Sequence, residues 1–136
     1  MIYAVLDTNI IVSALLREKS NPAEVVGLLS QLELSIYYSQ EIFAEYVAVL
    51  HRPKFSFSAQ DIADVLRLIV RFGSCITASP ASEKCFHEDD QKFYDVAKTA
   101  GAYLITGNAK HFPADACVIS PTDFLTNVDI INSITP

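Results

Sequence analysis

The run Ile2-Tyr3-Ala4-Val5-Leu6 is almost wholly apolar and stops abruptly at Asp7-Thr8-Asn9. A short run without an alternating polar face suits a strand buried on both sides, as in a parallel sheet. Parallel strands need crossovers, and helix-period segments stand where the crossovers belong. Ile10, Ile11, Ala14 and Leu15 recur at helical spacing through Leu16. Ser20-Asn21 then leads into Pro22, which suits the first position of a second helix running to about Leu32. Leu34 to Tyr38 reads as the second strand, and Ser39 as the N-cap of a helix carrying Ile42, Phe43, Tyr46, Val47, Val49 and Leu50 before Pro53.

The same alternation continues to the C-terminus. Ser58 to Phe72 predicts an amphipathic helix with Ile62, Val65, Leu66, Ile69 and Val70 on its apolar side and Gly73 placed to stop it. Strands are expected at Cys75 to Thr77, Ala102 to Ile105 and Val118-Ile119. Asp89 to Ala100 reads as a helix ending at Gly101, and Asp123 to Val128 as a closing helical turn. The expected class is α/β, a central parallel sheet flanked by helices on both faces, with ligands at the carboxyl ends of the strands.

A chain of 136 residues that is 51% apolar can bury one sizeable core, so residues 1–136 read as one domain. No apolar run approaches the ~18 positions of a membrane span. The start meets Asp7 before a signal-peptide core could form, so a cytoplasmic protein is expected. Cys75, Cys85 and Cys117 are odd in number and far apart, which reads as reduced, partly buried thiols. The formal charge of −6 argues against a broad basic face for nucleic acid. It does not exclude a nuclease, because carboxylates gathered for divalent cations add negative charge of their own.

Three polar positions fall where strands end: Asp7, Ser39 and Asn108. Glu45 lies in the helix after Ser39, and Asp90 opens the helix before the Ala102 strand, so both carboxylates can reach the same edge. Acids gathered without a cationic partner repel one another unless metal or shared protons relieve them. Hard cations such as Mg²⁺ or Mn²⁺ prefer these oxygen ligands.

Four stretches together resemble the PIN domain nucleases. Val5-Leu6-Asp7-Thr8-Asn9-Ile10 is similar to the family's first acidic motif, and Ser39, Glu45, Leu50 and Arg52 at their spacing resemble the second. Asp90, Phe93, Ala97 and Gly101-Ala102 resemble the third, and Leu104-Ile105-Thr106-Gly107-Asn108 with His111-Phe112-Pro113 the fourth. The closing Val118-Ile119-Ser120-Pro121 with Phe124-Leu125 is similar to the ends of a subgroup of toxins from toxin–antitoxin pairs. The resemblance implies a three-layer α/β/α fold, a divalent-metal requirement and RNA phosphodiester cleavage. It further implies a cognate antitoxin partner. One position departs from the pattern: where the family often has Asp, Asn108 offers a neutral carbonyl oxygen and no charge, which weakens the case for a second ion.

On this reading Asp7 and Asp90 hold the ion, and Glu45 ligates it or orients its water, with Thr106 and Asn9 supporting through hydrogen bonds. Each residue also has a plain structural alternative. Asp7 would cap a helix, Glu45 would be an exposed helical residue, and Asp90 competes with Asp89 and with Asp95, the reserve ligand. Asn108 serves equally as a turn residue, and Ser39 reads as a cap rather than a catalytic hydroxyl. His51, Arg52 and Lys54 form the nearest approach to a basic patch, for RNA phosphates or simply for solvent. His87 and His111 read as loop residues, and Tyr37, Tyr38, Phe43 and Phe93 as core. A homodimer or larger homo-oligomer stays open. Two other classes compete: a receiver-like Mg-binding signalling domain, disfavoured by Ser120-Pro121 after the last strand, and an inactive interaction module, for which Asn108 argues.

Overall fold

The apolar run at the start becomes β1 (Ile2–Leu6), the central strand of a five-stranded sheet, in a computed structural model that describes residues 1–134. Ala4, Val5 and Leu6 are all fully buried, which fits a strand with no polar face. β2 (Leu34–Tyr38) and β4 (Tyr103–Ile105) pair with β1 on its two sides, β3 (Gly73–Cys75) extends β2, and β5 (Val118–Ile119) extends β4. Every pairing is parallel and the order is β3-β2-β1-β4-β5.

The crossovers are α1 (Thr8–Leu16), α2 (Asn21–Ser30), α3 (Gln40–Leu50), α4 (Ala59–Phe72) and α5 (Glu88–Ala100), with α6 (Pro121–Ile134) closing the chain. Helix α5 lies over β1, β2 and β4, while α2 and α4 pack on β2 and on each other. The result is the expected three-layer α/β/α arrangement, with Ile10, Leu29, Ile42, Tyr46, Phe93 and Tyr94 among its fully buried side chains. Each such apolar side chain contributes ~1.5–3 kcal/mol. Ser20, Ser39 and Ser58 each accept a hydrogen bond from the backbone N–H three residues on, capping α2, α3 and α4.

Some boundaries differ from expectation for local physical reasons. Helix α2 ends at Ser30 rather than near Leu32, because Leu32 turns into the left-handed region at φ 61°. Strand β3 begins at Gly73, two residues earlier than expected. Gly73 stops α4 with an extended backbone, not the left-handed cap that Gly101 adopts at φ 65°. Its missing side chain is required by space: a Cβ there would sit 2.6 Å from the Ile69 carbonyl oxygen and 2.9 Å from both Ile36 and Tyr38. Val70 faces solvent instead of the apolar side of α4, and Cys75 is exposed rather than partly buried. The last helix is longer than the expected turn. Ser120 caps it through Asp123, Asn21 of α2 donates to Thr122 at 2.7 Å, and Phe124 and Val128 are buried.

Asp115 fastens the approach to β5 onto α5. It accepts from Tyr94 and Lys98, both at 2.8 Å, and from the Cys117 N–H at 3.0 Å. Those donors, the Cys117 backbone foremost, hold its carboxyl well below the usual range. Among the described residues no helix is long and apolar enough to cross a membrane.

The crowding at Gly73 yields a test. Gly73→Ala is expected to destabilise the fold by about 1–3 kcal/mol, the usual cost of forcing atoms into a packed site, read as a lower urea midpoint. A midpoint equal to that of the native chain would contradict this account of the α4 to β3 junction.

Candidate functional site

The strand order reverses direction at β1 and β4, and in open parallel sheets that switch point leaves a crevice at the carboxyl ends of the strands. Asp7 follows β1 and Thr106 follows β4 at this place. The Thr106 hydroxyl donates to Asp7 Oδ2 at 2.7 Å and accepts from the Asn108 N–H at 3.0 Å, so one side chain bridges the crevice. Asn9 Oδ1 accepts from the Gly107 N–H at 3.3 Å, a second tie between the two loops. Asp7 occupies the N-cap position of α1, yet its carboxylate makes no capping hydrogen bond. The plain helix-cap alternative for this residue is therefore not what the side chain does.

Glu45 reaches the same place from α3. Its Oε2 accepts a hydrogen bond from the Thr8 hydroxyl, and its Oε1 lies 2.9 Å from the Lys92 ammonium. The helix is held there by its neighbour Tyr46, fully buried, whose hydroxyl donates to the Leu6 carbonyl at 2.5 Å. Burial, then the charges of Asp7 and Glu45, keep the Tyr46 phenol protonated far above its ordinary value. Asp90 sits in the first turn of α5, with Oδ2 at 3.5 Å from His111 Nδ1.

Asp7 reports the electrostatics of the group. Its carboxyl is pushed above its ordinary value, chiefly by burial and further by the negative charges of Asp90 and Glu45, against the lowering effect of the Thr106 hydrogen bond. The acids drawn from β1, α3 and α5 thus lie within range of one another's charge. They are not, however, converged on one point. Among the described residues no three His, Cys, Asp or Glu side chains are gathered closely enough to hold one ion. Both Glu45 oxygens are already engaged, and the sequence argument that the acids lack a cationic partner is corrected by Lys92. Lys92 falls in the gap between Asp90 and Phe93 of the third motif, where its charge was visible but its direction was not.

The donor chemistry still fits a divalent cation. Asp7 is a buried carboxylate with no ion-pair partner among the described residues, Asp90 offers a second hard oxygen donor, and Glu45 would be a third only if its pair with Lys92 opened.

The remaining sequence candidates separate. Ser39 caps α3 through Ile42 at 3.2 Å, as its cap reading had it. Asp95 turns away to the loop before α5, accepting from the Ala81 N–H at 2.9 Å and from Gln91 at 2.8 Å, so it serves as a loop anchor. Asn108 is exposed and makes no capping bond with its side chain. Arg52 and Lys54 are exposed beyond the far end of α3, with Arg52 seven positions past Glu45, about 10 Å along a helical rise. They are not brought together with the acids. Tyr38 and Phe93 are buried as expected, whereas Tyr37 and Phe43 are half-buried.

A buried acid whose charged form is disfavoured should cost stability. With its folded pKa raised, Asp7 carries the penalty at pH above that value and loses it as falling pH protonates the group. Asp7→Asn is therefore expected to raise the melting temperature at pH 7 in EDTA, with a smaller difference at pH 4. A lower melting temperature at pH 7 would contradict this electrostatic account.

The PIN domain family model matches residues 3–110. An uncharacterized protein of Methanocaldococcus jannaschii is 29% identical over 110 residues, which cover 79% of this chain and 71% of the relative. No solved structure matches. The matched span contains Asp7, Glu45, Asp90, Thr106 and Asn108, and the chain belongs to the PIN domain family, whose members are in general nucleases.

Proposed function

We propose that this protein is a divalent-metal-dependent endoribonuclease, using Mg²⁺ or Mn²⁺, with its site at the crevice between β1 and β4. The observation that carries the reading is Asp7: buried, uncapped, held by Thr106, and raised in pKa by burial and by Asp90 and Glu45. A fold that keeps such a carboxylate forgoes stability, which active sites commonly do.

Asp7 and Asp90 would hold the cation, with Glu45 joining them or orienting a water. When bound, such an ion lowers the pKa of water and offsets charge developing on the phosphate. The protein's own part is orientation. Thr106 fixes one Asp7 oxygen, Tyr46 fixes α3 and hence Glu45, and Asn9 holds the loop that presents Asn108. Lys92 competes for Glu45, and once released its ammonium is free to meet a phosphate oxygen. The proposed substrate is RNA, and the proposed setting is cytoplasmic. A role as the toxin of a toxin–antitoxin pair, with a cognate antitoxin as partner, rests on the similarity of the chain's closing segment to that subgroup.

Short RNA incubated with Mn²⁺ or Mg²⁺ tests the reading. Cleavage is expected to need the ion and to fall at least ~100-fold in Asp7→Asn and Asp90→Asn, the scale of removing an electrostatic contributor to the transition state. Equal cutting by all three proteins would assign the activity to a contaminant. No cutting by any would favour an interaction module, for which the Glu45 to Lys92 pair is the supporting observation.

Lys92 supplies a separate prediction. Lys92→Met should lower the Mn²⁺ concentration needed for half-saturation, read by the loss of the free-ion EPR signal, because Glu45 is then unpaired. In a Glu45→Gln background the same change should do much less. An equal effect in both backgrounds would mean that Lys92 acts only as a distant charge.

A further inference from the structure

Among the described residues Phe86 is the most exposed of the large apolar side chains, at 88%. A single exposed apolar side chain needs no explanation by itself, but Phe86 does not stand alone. It is the outer end of a row of rings. Phe86 and His87 meet edge to face with centroids 5.0 Å apart, and His87 and His111 do the same at 5.8 Å. The row ends against the acids, where His111 Nδ1 stands 3.5 Å from Asp90 Oδ2. The loop that carries Phe86 is tied down at several points. Gln91 accepts from the Cys85 N–H at 2.6 Å and donates to the Glu83 carbonyl, while Asp95 and Thr99 hold Ala81 and Ser79. An exposed ring on an anchored loop costs little further ordering when something stacks on it.

We propose that Phe86, with His87 and His111 behind it, is a stacking platform for an unpaired nucleobase of single-stranded RNA whose phosphodiester lies at Asp7 and Asp90. The proposal rests on the ribonuclease reading for its substrate class. Charge argues for stacking as the mode of capture. The chain carries −6; next to the rings in sequence Glu83, Glu88 and Asp89 are set against Lys84, Lys92 and Lys110, of which Lys92 is paired with Glu45, and Arg52 and Lys54 lie past the C-terminal end of α3. No excess of positive charge at this rim favours phosphate contacts away from the cleaved bond, whereas stacking on an aromatic face is indifferent to net charge and tolerant of sequence. A flat ring face next to polar imidazoles also suits a base better than an apolar protein anchor, which would fill an apolar pocket.

Fluorescence anisotropy of a labelled single-stranded RNA about ten nucleotides long, in EDTA so that nothing is cut, reads the platform directly. Phe86→Ala is expected to weaken binding by about tenfold, within the range for loss of one base stack, and Phe86→Trp to keep native affinity. The salt dependence of binding should be shallow. With Mn²⁺ present, Phe86→Ala should raise KM for the same RNA with kcat unchanged. Equal affinity of native and Phe86→Ala proteins, with cleavage intact, overturns the platform and leaves the ribonuclease reading standing. A native chain that neither binds nor cuts RNA overturns both. A change of oligomeric state in Phe86→Ala, without a change in RNA affinity, assigns the ring to a protein contact instead.

Discussion

The hydrogen bond from Thr106 to Asp7 joins the two strands at which the sheet changes direction, and the architecture around it depends on keeping a carboxylate in that place. Asp7 is only 8% exposed and Thr106 is fully buried, so neither can exchange its partner for water without cost. The carboxylate nonetheless remains short of compensation: burial raises its pKa and two other acids raise it further. A core chosen for stability alone would not put a carboxylate here. The site is a local conflict between folding and electrostatics, and such conflicts concentrate where a protein works.

Lys92 changes how that conflict is understood. By residue type alone the acids form an uncompensated cluster, for which a divalent cation is the economical relief. The structure shows a mixed arrangement, in which Glu45 is neutralised by Lys92 and steadied by Thr8, Asp90 has His111 at its side, and Asp7 has a neutral hydroxyl donor. The charge demand for a cation is thus concentrated on Asp7. Lys92 pairs with Glu45 through an ammonium that is 18% exposed, so a cation at Asp7 would gain Glu45 as a ligand only by displacing it.

Most of the architecture was legible because its signals were local. An apolar run with no alternation marked β1 as a buried parallel strand, serines marked the starts of α2, α3 and α4, and strand-end polar residues marked the carboxyl edge of the sheet. What escaped depends on distance. The need for glycine at 73 comes from the Ile69 carbonyl one turn back together with Ile36 and Tyr38 on another strand, and the turn of Asp95 toward Ala81 depends on the path of an irregular loop. The pairing of Lys92 with Glu45 joins residues 47 positions apart, so no periodicity announces it. Phe86 escaped for a different reason: a lone aromatic in a loop gives no pattern, and only its rings in series with His87 and His111 single it out. The acids stand out by their places at strand ends and in the adjoining helices, and the PIN resemblance is what lifts Glu45, which by residue type alone is an ordinary helical glutamate.

At the centre stands the proposal that Asp7 and Asp90 ligate one divalent ion at the carboxyl edge of the sheet. Anomalous diffraction from crystals soaked in Mn²⁺ tests it most directly. The account predicts one strong anomalous peak within coordination distance of both carboxylates, lost in Asp7→Asn; a peak elsewhere on the protein, or the same peak in the Asp7→Asn variant, would contradict it.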